Sequence, residues 1–195
     1  MTLMRSGSLW GLPLACALLG GQVATTESTR TNGQPEAKGL RKDAAATNAV
    51  AADFSDATLW LNPAKWLEQS KEPGAIRFNH VNKHVLGYML SDKTGGITTS
   101  AMKDLALGSS RRLDPNARIA MAERRVVNGR EVLYLEINLA QNSIPIRFAG
   151  YYHGGVKSNL QVVAYTVADE FEGYRREVNE FINGVEIRED STPEK

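Results

Sequence analysis

Cysteine occurs once in the 195 residues, at Cys16, and histidine three times. One thiol cannot build an intramolecular disulfide framework or a cysteine-based zinc site. The chain also lacks a nucleophile elbow, a phosphate-gripping glycine loop, a dinucleotide glycine fingerprint and a His-Glu metalloprotease motif. No nucleophile–base pair can be named, so no catalytic residue, metal ligand or cofactor is expected. Charge of one sign is missing too: 23 Lys and Arg stand against 22 Asp and Glu, a formal net charge of +1. A protein that tracks duplex phosphates normally shows clustered basic residues, so nucleic acid is not an expected partner. The longest apolar run, Leu9 to Leu19, is about half the roughly 20 residues a bilayer span needs. There is no internal repeat.

That short run has another use. Arg5 precedes it and the small residues Gly20, Gly21, Val23 and Ala24 follow, the layout of an export signal over residues 1–24. The expected address is extracytoplasmic, in a periplasm or secreted, with the membrane met only transiently. Ala17, Leu18 and Leu19 continue past Cys16, and Pro13 stands where lipoprotein signals carry Leu, so lipid attachment at Cys16 is not expected. The competing reading is a buried or disordered N-terminal helix of a cytosolic protein. Residues 25–52 hold Thr, Ala, Asn, Gly, Gln and Lys with little large apolar content beyond Leu40, and are expected to be a disordered linker.

Order is expected over residues 53–188. Asn62-Pro63 reads as cap and first residue of a short helix through Gln69, with Trp60, Leu61, Trp66 and Leu67 as its apolar side. Two strands follow, about Ala75–Val81 and His84–Ser91; both faces of the second are apolar, which implies cover on both sides. Thr98, Thr99 or Ser100 can cap a helix ending near Leu107, with Gly108 as its stop. Four strands then form a meander: Arg118–Val127, Arg130–Leu139, Ile144–His153 and Leu160–Val167.

Asn128-Gly129 favours a two-residue hairpin turn. It sets Leu133 against Arg124, Leu135 against Ala122 and Ile137 against Ala120. Closing the next hairpin over Ala140–Ser143 sets Ile137 beside Ile146, Leu135 beside Phe148 and Glu136 opposite Arg147. A last helix from Asp169 to Gly184 carries Phe171, Tyr174, Val178, Phe181, Ile182 and Val185 on one face. A short turn after the last strand folds it over the face assigned to Ile146, Phe148, Val163 and Tyr165. Residues 189–195 are a charged tail. The fold class is α+β, a single layered domain with a central, mostly antiparallel sheet.

Candidate chemistry is sparse. His80 and His84 straddle a turn with no third ligand nearby and read as a solvent-exposed pair. Tyr151, Tyr152 and His153 run into Gly154-Gly155, an aromatic strand end feeding a glycine loop that can grip a small ligand or partner, or simply connect a hairpin. The meander face opposite the core collects Glu123, Arg125, Tyr134, Glu136 and Arg147. Glu136 and Arg147 read as a cross-strand ion pair on an open polar face.

The segments Leu59-Trp60-Leu61-Asn62-Pro63-Ala64-Lys65-Trp66, Val127-Asn128-Gly129-Arg130-Glu131-Val132 and Tyr151-Tyr152-His153-Gly154-Gly155, in this element order, resemble a known family. So do Gln161-Val162-Val163-Ala164-Tyr165-Thr166 and the closing Phe181-Ile182-Asn183-Gly184. The pattern is similar to the PsbP-like proteins, which include the extrinsic PsbP proteins of photosystem II, a yeast Ran-binding nuclear transport factor and bacterial exported proteins of the DcrB type. The resemblance covers about Phe54 to Ile187. It implies an α/β/α sandwich in the order helix, two strands, helix, four-stranded meander, C-terminal helix. It also implies a non-enzymatic binding or accessory role.

The leading expectation is therefore an exported, non-catalytic, monomeric module. It would hold an envelope protein or a small ligand on a sheet–helix cleft or at the Tyr151–Gly155 edge. The alternative is an envelope hydrolase or transferase using the polar sheet face around Glu123, Tyr134, Glu136 and Arg147.

Overall fold

The computed structural model describes residues 39–188. The expected export signal, Cys16, the first part of the expected linker and the expected charged tail lie outside the described residues. Over the described residues the chain is mixed α/β, with two sheets and two helices. Five strands come first: β1 (Asn48–Ala51), β2 (Ala57–Leu61), β3 (Trp66–Glu72), β4 (Ala75–His80) and β5 (Leu86–Asp92). Helix α1 (Met102–Leu113) leads into β6 (Arg118–Val127), β7 (Arg130–Gln141), β8 (Ile144–Gly154) and β9 (Asn159–Val167). A 3-10 turn at Ala168–Glu170, helix α2 (Arg175–Asn183) and β10 (Val185–Ile187) close the described chain. Seven strands form one sheet in the order β3-β4-β5-β9-β8-β7-β6, and β1-β2-β10 form a second; every pairing between these strands is antiparallel.

The meander forms where the alternation placed it, and its first turn has the expected geometry. Asn128 and Gly129 take φ of 47° and 85°, and Leu133 and Leu135 face Arg124 and Ala122. Further out a bulge between Ile119 and Met121 sets Ile137 against Ile119 rather than Ala120. The second hairpin is tighter than expected. Asn142 and Ser143 both adopt positive φ, 49° and 66°, so the turn takes two residues and the ladder shifts by two. Ile137 then faces Phe148, Leu139 faces Ile146, and Glu136 faces Ala149 instead of Arg147. An even shift keeps every side chain on its face, which is why the alternation could not reveal it.

The first expected helix is a strand. Asn62 does organise one turn: its Oδ1 accepts the Ala64 N–H at 3.0 Å and its carbonyl accepts Lys65 and Trp66 at 3.0 Å each. A helix ending at Gln69 would be too short to stand on its own hydrogen bonds, whereas β4 offers a full edge. The chain takes that edge as β3, from Trp66↔His80 to Glu72↔Ala75.

The expected linker is also corrected over its described part, Gly39–Ala52. Leu40 exchanges hydrogen bonds with Val126 and Asn128 at 2.9 Å, Ala46 is buried, and β1 pairs along β2. Weak hydrophobicity there is offset by backbone pairing. Helix α1 runs through Gly108, where nothing crowds the backbone; an exposed mid-helix glycine costs only about 1 kcal/mol. The last helix starts later than expected, at Arg175.

Both sheet faces are covered. On one, Met102 and Ala106 of α1 pack on Leu135, Ile137, Phe148 and Val163. On the other, Val178, Phe181 and Ile182 of α2 join Leu59 and Leu61 of β2 over Ala149, Tyr151, Val162 and Ala164. The C-terminal helix therefore clamps the face opposite the one expected. Both faces of β9 are apolar, so its pattern could not choose between them. Phe181 sits at the centre of this layer, 4.5 Å from the Trp66 ring and 5.5 Å from that of Phe78.

Phe181→Ala is expected to cost about 3–5 kcal/mol in urea unfolding, against no more than roughly 0.5 kcal/mol for Arg176→Ala, whose side chain is 83% exposed. Removing residues 39–52 strips one neighbour from β2 and should lower the melting temperature by at least several degrees, the equivalent of more than about 1 kcal/mol. An unchanged melting temperature would mean that β1 contributes nothing to the fold.

Candidate functional site

The alternation of β7 and β8 divides the six candidate residues between two faces. Tyr134, Glu136, Arg147 and Tyr151 lie on the α2 side, Tyr152 lies in the α1 core, and His153 closes β8 at the sheet rim. They are not one site. Tyr152 is enclosed in apolar packing, and burial alone raises its phenol pKa well above the usual range.

The polar cluster is covered, not open. Glu136 is 3% exposed. Its Oε1 accepts the Tyr134 hydroxyl at 2.7 Å and the Arg175 guanidinium at 2.8 Å, while its Oε2 lies 3.7 Å from Arg147 Nη1. Arg147 also donates to Asn138 Oδ1 at 3.0 Å and to Glu172 at 3.3 Å, and Arg175 grips Glu172 with two bonds of 2.7 Å. Two carboxylates thus meet two guanidinium groups, and both guanidinium groups flank the Phe171 ring at about 5 Å. Although Glu136 and Arg147 are not cross-strand partners, they still meet diagonally. Arg125 stacks 3.4 Å from the Tyr134 ring centroid, and Tyr151 donates to Asn183 Oδ1 at 2.7 Å. Burial, and then the bond to Glu136, raise the Tyr134 pKa. The Arg175 contact holds Glu172 below the usual carboxylate range. Glu136 and Tyr134 are turned inward on these neighbours, while Glu172 reaches solvent and Arg175 and Asn183 border an open, charged recess that Arg41, Lys65 and Glu180 also line.

The histidine pair also differs from expectation. His80 is buried, 7% exposed, with its ring edge-on to Trp66 at 5.0 Å. His84 is exposed, stacks on Tyr174 at 5.1 Å and meets Glu170 at 3.1 Å.

An open space does exist at the other end of the sheet. A cavity of about 430 Å³ lies where the β8–β9 hairpin, the loop at residues 96–98 and the ends of β2 and β10 converge. His153, Gly154 and Gly155 border it, as the aromatic-to-glycine run suggested. Its other polar contributors are Thr98 and Ser158 from the adjoining loops, and Ser55, Asp56, Arg130 and Arg188, brought there from segments distant in sequence. Glycine is required on the hairpin wall. A Cβ on Gly154 would lie 2.1 Å from the Ile97 carbonyl oxygen, and one on Gly95 would lie 2.0 Å from that of Val156. On the other wall Arg130 donates Nε–H to the Ile187 carbonyl at 3.2 Å, and Arg188 N–H bonds the Asp56 carbonyl at 2.9 Å. Ser55 Oγ is buried without a hydrogen-bond partner. Sequence reasoning missed Ser55, Asp56, Arg130 and Arg188, because no local pattern marks residues that only tertiary folding assembles.

No family model and no curated protein sequence matches the chain. Among solved structures it is similar to the cyanobacterial PsbP protein of Synechocystis, at 10% identity, over 80% of this chain and 98% of that one, with a TM-score of 0.54. The chain has the PsbP-like fold. A looser likeness, with a TM-score of 0.41 and 16% identity over 66% of this chain and 81% of the other, is to LpqN, a Mycobacterium tuberculosis protein involved in cell envelope biogenesis.

In this PsbP-like sheet, Glu136→Ala leaves two guanidinium groups without their buried carboxylate and should cost about 3 kcal/mol in chemical denaturation. A cost below about 0.5 kcal/mol would mean that the cluster is solvated. Buried tyrosines set an alkaline limit. Tyr165 is pushed up to about 12 by burial, and Tyr134, Tyr151 and Tyr152 are raised for the same first reason. Folding favours the neutral phenol, whose unfolded pKa is about 10. This stabilisation is complete below about pH 10 and is lost as pH rises towards 12, where the unfolded chain binds fewer protons than the native one. Unfolding free energies at pH 8 and pH 11.5 should differ by more than about 1 kcal/mol, with tyrosinate absorbance rising together with unfolding. Phenols that ionise near pH 10 with the fold intact would contradict this.

Proposed function

We propose that the chain is an exported, non-catalytic binding or accessory protein. Built as an α/β/α domain, it holds a small ligand in the cavity at the end of the β8–β9 hairpin. The observation that carries this reading is the cavity itself: a recess of ligand size between two walls, with cationic, hydroxyl and apolar groups converging on it. The polar cluster around Glu136 supports no such role, since its charges neutralise one another under α2. The export signal supplies the address outside the cytoplasm, and the PsbP-like fold is compatible with an accessory role. Protein partners are secondary in this reading, because the recess suits a small molecule better than a helix or a flat surface.

Native mass spectrometry of the protein purified from its own envelope fraction tests the proposal. A bound small molecule is expected, and Val156→Trp at the 79% exposed rim should reduce its occupancy by blocking the mouth. A wild-type protein of bare chain mass, or equal occupancy in the variant, would count against the cavity. N-terminal sequencing of the same material is expected to find a start between about Gly21 and Thr26; an intact Met1 in a cytosolic fraction would overturn the address.

A further inference from the structure

The large sheet ends in two edges, β3 and β6, and they differ. A bulge between Glu68 and Ser70 breaks β3 in its middle. In β6 the bulge sits near the start, between Ile119 and Met121, and the ladder from Met121 to Val127 is regular. Val127 and Arg130 flank the two-residue turn and pair directly. The backbone groups of Val127 and Arg125 therefore point inward to β7, and those of Val126, Arg124 and Ala122 point outward. Leu40 shows the same phase: its N–H bonds the Val126 carbonyl at 2.9 Å, and its carbonyl accepts the Asn128 N–H at 2.9 Å. That single bridge covers one end of the edge. Among the described residues nothing pairs with the outer backbone groups of Ala122 and Arg124, both exposed, or with the Val126 N–H. Such an edge is a template for another strand unless charge or a bulge blunts it. Here the charges are partly taken up by each other, for Arg124 pairs with Glu131 at 2.6 Å and Arg125 with Glu123 at 2.5 Å. Lys103 and Arg118 are exposed and make no ion pair with the described residues.

Lys103 stands in the first turn of α1 and lines, with Thr99, Ser100, Ala122, Arg124 and Leu133, a recess of about 310 Å³ on the α1 side of this edge. Glu123 also borders the recess but is held by Arg125. Asp104 lies on the opposite side of the helix from the buried Met102 and Ala106, away from the sheet. Side chains of an added strand alternate between faces, so every second one would lie over the recess. We propose that the β6 edge from Ala122 to Val126 takes an extended segment of a partner protein as an added strand, with an acidic side chain of that segment set against Lys103. Main-chain bonds to Ala122 and Arg124 supply the affinity, and the recess selects the side chain. The sign follows from the charges along the edge: Lys103, Arg118, Arg124 and Arg125 stand against Glu123 and Glu131, four cations to two carboxylates. A second copy is disfavoured as the occupant, because its β6 would bring the same surplus. This surface shares no lining residue with the cavity and stands apart from the ligand reading.

The test follows amide hydrogen exchange and chemical shifts of the full, ¹⁵N-labelled chain at low salt. Three end-blocked peptides serve as probes: Ser-Thr-Val-Glu-Val-Thr-Ser, its analogue with Lys in place of Glu, and the Glu peptide with every amide N-methylated, which cannot complete a ladder. In the free chain the Ala122 and Arg124 amides should exchange fast. The Glu peptide should slow both at least tenfold at saturation and shift Thr99, Ser100 and Lys103. The Lys peptide should bind about tenfold more weakly, and the N-methylated one should not bind. Lys103→Gln, an exposed change on a helix surface, should bring the Glu and Lys peptides to within about threefold of each other. Ala122→Pro removes an outward donor and leaves the inner ladder to β7 intact, so it should abolish the slowing at Arg124. Equal affinity of the wild type for the Glu and Lys peptides overturns the acidic partner. Shifts without slowed exchange, or equal binding of the N-methylated peptide, overturn strand addition, as does the absence of any response to the three. If Ala122 and Arg124 are already protected before peptide is added, the chain itself occupies the edge, or a second copy does where protection rises with protein concentration, and the proposal falls.

Discussion

The middle of strand β7 has no solvent face. Val132, Tyr134 and Glu136 point to one side, Leu133, Leu135 and Ile137 to the other, and none of the six is more than 8% exposed. A strand buried on both sides forces a layer onto each face of its sheet, and most of the remaining chain is arranged to supply those layers. Helix α1 covers one face. On the other, α2 has only nine residues, a length of about 13 Å, whereas the six gaps of a seven-stranded sheet span roughly 29 Å. One short helix cannot cover that width, and β1-β2-β10 supplies the rest. The small sheet is therefore a physical necessity of the large one, and its anchor is Asn128. That side chain donates to the carbonyls of Asn183 and Val185 at 2.9 and 2.6 Å and accepts the Lys42 N–H at 3.0 Å. A turn residue selected for its positive φ thus also ties the β6–β7 hairpin to the α2–β10 corner.

Covering β7 also encloses Glu136, and a carboxylate removed from water costs several kcal/mol unless it is paired and hydrogen-bonded. Arg175 from α2, Arg147 from β8 and the Tyr134 hydroxyl together meet that need. An apolar side chain at this position could be equally stable. A carboxylate adds directionality: Arg175 and Glu172 stand at the beginning of α2, so the network fixes where that helix enters the sheet face. The residues that suggested an open catalytic face are instead the polar seam between two layers.

Local patterns were legible and tertiary choices were not. The four meander strands, the Asn128-Gly129 turn and the apolar stripe of α2 each follow from neighbours in sequence, and each is present. The second hairpin slipped by two because Ser143 adopts a positive φ that serine rarely supplies. Strand β3 was read as a helix because Asn62-Pro63 is a real helix-start signal; the free edge of β4, which decides otherwise, is a tertiary fact. Likewise, β9 is apolar on both sides, so nothing in Val162, Val163 and Ala164 says which face α2 covers. Of the cavity, only His153-Gly154-Gly155 left a local trace.

The cavity stays open for a reason that lies in how its walls are held. On the hairpin side, Asn159 Nδ2 bonds the Thr94 carbonyl at 2.6 Å and Asp92 Oδ1 at 3.2 Å, while Gly96 N–H bonds the Gly155 carbonyl at 3.0 Å. With Gly95 and Gly154 allowing backbone to touch backbone, that wall is fixed without using side chains that could fill the space. On the other side the end of the small sheet is fixed by the register Ile187↔Ala57 and by the Arg188–Asp56 bond just beyond it. Each wall therefore satisfies its own backbone and neither needs the other, so the gap between them is not under pressure to collapse. A ligand seated there would lie between Ile187 and Arg188 at the end of the small sheet and Ile97 and Val156 at the rim of the large one. Binding energy at this position would then add to the sheet-to-sheet link that Arg130 Nε already makes to the Ile187 carbonyl at that rim.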